Sequence, residues 1–250
     1  MRAALIPPRG LEKTALASDL HLVLPFPELV ANQVYVETYI QARRRGDYVI
    51  LDNGCAEGNL VSNKQLMDFA AVIQPHEIVA PDVLDDAAKT WELTSYFLHD
   101  VPNVTDYNIM AVLQGTTLPE RIELLRAFAT VDAITAIGIP KIQVRKAQSP
   151  ARLQMAQIIQ NLFPGRFQLH LLGLSHAYPT EMHGIVFPDY VRSMDSAQPY
   201  KVSEVGKIMS TTHADAKRRD DYFTRYQPVD EVLLRRNIRT FLRWAGASES

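Results

Sequence analysis

Eight short apolar runs, separated for the most part by segments of helical period, constrain this 250-residue chain more than any other feature. They cover residues 3–7, 20–25, 48–53, 77–82, 108–115, 133–140, 168–174 and 190–195. The third is the clearest. Tyr48-Val-Ile-Leu51 is apolar and rich in β-branched residues, follows the charged Arg43-Arg44-Arg45, and stops at Asp52. Such a run suits a strand covered on both faces, as in parallel sheets. Asn53-Gly54 then supplies a turn, because both residues tolerate positive φ.

Between the runs, residues 34–45, 63–73, 86–98, 119–129 and 150–162 place apolar side chains at i, i+3, i+4 spacing. Leu118-Pro119-Glu120 and Ser149-Pro150 read as helix starts, with proline in the first turn. The first connection is thin, and the one after the seventh run, with Pro179, Gly184 and Pro188, is too short and broken for a full helix. Strands alternating with helices in this number predict a (β/α)8 TIM-type barrel over residues 1–200. An open doubly wound sheet is the competitor, but no Gly-x-Gly-x-x-Gly follows any run.

Beyond Asp195 the character changes to a C-terminal helical, basic extension, residues 201–250. Lys217, Arg218, Arg219, Arg225, Arg235, Arg236, Arg239 and Arg243 are interleaved there with Tyr222, Phe223, Tyr226, Phe241 and Trp244. Residues 231–244 read as an amphipathic terminal helix closing the barrel. Its basic residues form either a solvated face or a surface for a phosphate backbone, with aromatic rings available for stacking. Lys217, Arg218, Arg219, Arg235 and Arg236 are the candidate nucleic-acid contacts.

Composition narrows the field. Hydrophobic residues make up 47% of the chain, enough for a real core. A formal net charge of −2 gives no global attraction to nucleic acid, so binding would need a local basic patch. The single cysteine, Cys55, excludes a disulfide framework and fits a reducing compartment. With neither a signal peptide nor an apolar run of membrane-spanning length, the expectation is a soluble, cytoplasmic protein with no membrane partner.

In a barrel, Asp52, Asp82, Gln114, Gly115, Gly138, Gly173 and Asp195 would converge on one mouth. Asp52 could instead only cap its turn. Two carboxylates in one pocket can serve as nucleophile and acid/base at a glycosidic carbon. A third carboxylate, a side-chain amide and glycine backbone suit a planar, hydrogen-bonding base. His170, His176 and His183 are spaced as a conceivable metal cluster but read better as hydrogen-bonded wall or loop residues, so no metal is expected. Cys55 reads as packing, and Asp85 and Asp86 as caps of the following helix.

The motifs Leu51-Asp-Asn-Gly54, Ala80-Pro-Asp-Val83, Val112-Leu-Gln-Gly115, Ala136-Ile-Gly138, Leu171-Leu-Gly-Leu174 and Ser193-Met-Asp-Ser196 together resemble, in order, the barrel motifs of the tRNA-guanine transglycosylase family. The resemblance spans residues 48–199. It is closest to the compact DNA-guanine transglycosylases of phages and bacterial islands, which place a 7-deazaguanine (preQ0-type) base in DNA. It implies Asp195 as the nucleophile at C1′ and Asp52 as the general acid/base. Asp82 would accept from the base's ring N–H and exocyclic amine, and Gln114, Gly115 and Gly138 would hold its carbonyl edge, with Asn53 and Gly173 beside them. The implied reaction uses no ATP and no cofactor; its partners are DNA, or alternatively tRNA, and the free 7-deazaguanine base. A phage-encoded protein would act in the host cytoplasm. Two departures favour DNA: the three clustered cysteines of the tRNA enzymes' zinc site are absent, and Ser196-Ala-Gln-Pro-Tyr200 replaces their arginine-bearing segment. A base-excising glycosidase or nucleoside hydrolase would use the same carboxylates, and a nucleic-acid-binding barrel without catalysis would need only the tail. Oligomeric state stays open.

Overall fold

The computed structural model describes residues 1–58, 61–141, 151–173, 186–210, 216 and 218–247. Eight parallel strands form one sheet: β1 (Arg2–Leu5), β2 (Leu20–Val23), β3 (Tyr48–Leu51), β4 (Glu77–Val79), β5 (Asn108–Val112), β6 (Ile134–Pro140), β7 (Gln168–Leu172) and β8 (Val191–Ser196). The ladders run in the order β1-β8-β7-β6-β5-β4-β3-β2. Cα atoms of β1 and β2 also come within 8 Å, so the sheet curls into a nearly closed (β/α)8 barrel. Ser18 Oγ donates to the Ala3 carbonyl and ties the segment before β2 to β1. Val49, Ile50, Leu51, Ile109, Met110 and Ala111 are buried, as strands covered on both faces require.

The outer layer is α1 (Pro27–Val30), α2 (Gln33–Arg45), α3 (Asn63–Ile73), α4 (Ala87–Asp100), α5 (Leu118–Ala129) and α6 (Ala151–Leu162). Local chemistry sets their limits. Ser62 with Gln65, and Thr117 with Glu120, form capping boxes at the starts of α3 and α5. Asp86 accepts from Lys89 N–H at 2.8 Å and caps α4. Gly46, at φ 86°, ends α2 just past its three arginines, whose charge suits the negative helix terminus. The first connection is only a 3-10 turn, Glu12–Ala17, and residues 186–190 hold no helix. Ser149, Pro150, Pro179 and Gly184 lie outside the described residues.

After β8 comes a short helix not anticipated from sequence, α7 (Gln198–Glu204), which runs across the expected domain boundary at residue 200. Helix α8 (Glu231–Trp244) packs on it. Asn237 joins them: its Nδ2 donates to Ser203 Oγ at 2.8 Å and to the Lys207 carbonyl at 2.9 Å. Buried Tyr222 donates to the Ile6 carbonyl at 2.7 Å, anchoring the extension at the end of β1.

One irregularity shapes the barrel interior. Leu169 pairs with Val191, but His170 pairs with Ser193, so Arg192 is the extra residue of a bulge in β8. The bulge turns Arg192 across the barrel to Glu77 at the start of β4, four ladders away. There its guanidinium makes a bidentate pair, Nη2 to Oε1 at 2.8 Å and Nη1 to Oε2 at 2.9 Å. Among the described residues no helix is long and apolar enough to cross a membrane.

Candidate active site

The opposite, carboxyl end of the barrel holds a cavity of about 540 Å³, lined by residues of six strands and by those that directly follow β1 and β3. Asp52, Asn53, Asp82, Gln114, Gly173 and Asp195 line it, as expected from their positions after the apolar runs. Its walls are apolar, with Ile6, Leu22, Leu24, Val79, Val112 and Leu172. Lys141, Lys201 and Arg218 add three cationic side chains to the lining.

Asp52 is half-buried, and its Oδ1 accepts from Gly54 N–H at 2.7 Å. Asp52 thus caps its turn and also lines the cavity, so capping is not its sole position in the fold. Asp82 is buried and clasped by two amides. Asn53 Nδ2 donates to its Oδ1 at 2.7 Å, and Gln114 Nε2 donates to its Oδ2. Burial raises the Asp82 carboxyl above its ordinary range, opposed by the hydrogen bonds from Gln114, Asn53 and Cys55. The Cys55 thiol is itself pushed up to about 12, first by burial and then by the Asp82 charge, which makes it a poor nucleophile and fits a packing role.

Asp195 is buried at the end of β8. Its Oδ1 accepts from Gly173 N–H at 2.8 Å and faces His170 Nε2 at 3.1 Å. Gly173 adopts φ 64°, a left-handed conformation that glycine takes without strain, and this turn aims its N–H at the carboxylate.

Other residues lie differently from the expectation. Gln114 was expected to hold the base's carbonyl edge, but its Oε1 accepts from Asp85 N–H at 3.1 Å while its Nε2 holds Asp82, so the amide orients the carboxylate. Gly115 and Gly138 are not among the lining residues. The Gly115 carbonyl accepts from Arg121 Nη2 at 2.8 Å. Gly138 makes room for neighbours: a β-carbon there would stand 2.7 Å from Leu172 Cδ1 and 3.1 Å from Met110 Sδ.

The basic tail divides. Arg218 reaches the cavity, whereas Arg219 is paired with Glu204 at 3.1 Å and with Asp221. Arg235 and Arg236 lie with Arg239, Arg243 and Trp244 along a separate surface groove on α8. Lys217, His176 and His183 lie outside the described residues.

Sequence reasoning assigned no site role to His170, Ser193, Lys141 or Lys201. The first two carried a signal, since side chains two apart on a strand share a face. His170 stands two before Leu172 and Ser193 two before Asp195, both of which line the cavity. No protein-family model matches the chain, and no curated protein matches it.

Proposed function

We propose that the chain is a guanine transglycosylase that exchanges guanine in DNA for a 7-deazaguanine base through a covalent glycosyl-aspartate intermediate. The observation that carries this reading is the convergence of Asp52, Asp82 and Asp195 on one apolar-walled cavity, each held in a different way. The volume, about 540 Å³, suits a purine with its sugar.

Each aspartate has a part that its surroundings favour. Asp82, fixed between Asn53 and Gln114, presents a carboxylate edge to the ring N–H and amino group of guanine. Asp195 attacks C1′ as the bond from C1′ to the guanine nitrogen breaks; the electron pair leaves with the nitrogen, which takes a proton from Asp52. The incoming 7-deazaguanine returns that proton to Asp52 as its nitrogen attacks C1′, and the pair of the ester bond goes back to Asp195. Two inversions retain the configuration. Lys141, Lys201 and Arg218 suit the phosphates of a strand whose target nucleotide is flipped out of the stack.

The test is incubation with radiolabelled guanine and either duplex DNA or tRNA, using wild type and Asp195→Ala. Label entering DNA, absent from tRNA and lost in the variant, is the expected result. Entry into tRNA alone would change the substrate, and abasic sites without label would indicate a glycosidase.

A further inference from the structure

Below Asp195 a continuous hydrogen-bonded chain descends through the barrel. His170 is fully buried on β7, and its Nδ1 lies 2.7 Å from Ser193 Oγ while its Nε2 lies 3.1 Å from Asp195 Oδ1. Ser193 Oγ also accepts from Arg192 Nε at 3.2 Å, and Arg192 is held by its bidentate pair with Glu77. The donors have one consistent direction. Arg192 can only donate and the Asp195 carboxylate can only accept, so Nε2 of the neutral ring carries its proton, aimed at Asp195. Nδ1 then accepts from the Ser193 hydroxyl, whose lone pair takes the Arg192 N–H.

We infer that His170 is a positioning residue that, with Gly173 N–H, occupies Oδ1 of Asp195 and leaves Oδ2 to make the glycosyl bond. Among the described residues the donors on Asp195 all reach Oδ1. The inference rests on the reading of Asp195 as the nucleophile. It adds a consequence for the two half-reactions. When Oδ2 bonds to C1′ the aspartate loses its charge, and when that bond breaks the electron pair returns to the carboxylate. Two N–H groups on Oδ1 stabilise the departing carboxylate, so they act mainly on breakdown of the intermediate. Their loss makes the covalent adduct accumulate.

The experiment has two readouts on the full chain. In the first, 15N-histidine NMR with His170→Gln for assignment reports where the ring proton sits. A ring protonated on Nε2 alone is expected, with that preference weakened in Ser193→Ala. A ring protonated on Nδ1, or on both nitrogens, would overturn the inference. In the second, guanine exchange and adduct level are compared across variants. His170→Leu should lower kcat by about 100-fold, with KM for guanine within about twofold and a larger steady-state adduct fraction, while His170→Gln, which keeps an N–H there, should stay within about 10-fold of wild type. Equal losses in Gln and Leu, or a lower kcat with no rise in adduct, would reduce His170 to packing. Should wild type form no adduct and exchange no base, the reading of Asp195 fails, while the ring tautomer still tests the geometry independently.

Discussion

Arg192 and Glu77 face each other across the barrel, 2.8 Å apart at Nη2 and Oε1, because β8 carries one residue more than its partner strand. Glu77 is wholly buried and also accepts from Tyr48 OH at 3.1 Å. Removing one charge leaves the other buried and uncompensated. Glu77→Leu should therefore lose about 3 kcal/mol of stability, and Glu77→Leu with Arg192→Met should recover most of it. Urea unfolding of the two variants measures the difference.

Gly138 matters through Leu172, which lines the cavity. Gly138→Ala places a methyl group 2.7 Å from Leu172 Cδ1, and the side chain has to move. The cost in stability should be about 1–3 kcal/mol. Because the displaced leucine stands at the cavity proposed to hold the base, KM for the incoming base should rise as well. Thermal melts and the exchange assay together check both effects.

Asp82 predicts a pH dependence. Its carboxyl is raised above its ordinary value of 3.8, chiefly by burial. A raised folded-state value means that the folded chain holds the proton more tightly than the unfolded chain. The resulting stabilisation is complete below the unfolded value and lost as pH rises through the folded one. Asp82→Asn does not titrate but sets an NH2 group against one of the two amide donors, so it should be less stable than wild type in acid, with the gap narrowing as pH rises through the folded-state value. Affinity for guanine should move the other way. It requires the ionised form, so wild type should weaken on acidification while still above pH 3.8, and Asp82→Asn should bind about 10-fold or more weakly at pH 7. Urea unfolding across pH reads the stability, and titration calorimetry across pH reads the affinity.

Much of the barrel was legible because buried parallel strands and capped helices write themselves into short windows. Tyr48-Val-Ile-Leu51 and its Asp-Asn-Gly turn stand where the pattern placed them, and residues 63–73 and 231–244 are helices at those bounds. The strand-end rule also brought Asp52, Asp82 and Asp195 together. What escaped depends on partners distant in sequence. Tyr190-Val-Arg-Ser-Met-Asp195 reads as a plain strand, and only its pairing with β7 makes Arg192 a bulge. Gln114 offers an amide to any ligand in sequence, yet Asp82 and Asp85 occupy both its ends. Helix α7 is short and begins with Gln198-Pro199, which resembles a loop until Tyr200, Val202 and Ser203 are seen to be buried. The arginines of the tail form one group along the chain and three in space.

The most direct test of the account is to mix the protein with guanine-containing duplex DNA, quench it in acid, and map the protease peptides by mass spectrometry. The account predicts a nucleotide adduct on the peptide bearing Asp195, absent from Asp195→Ala and discharged by added free guanine. Base loss without any adduct, or an adduct that survives in Asp195→Ala, would contradict it.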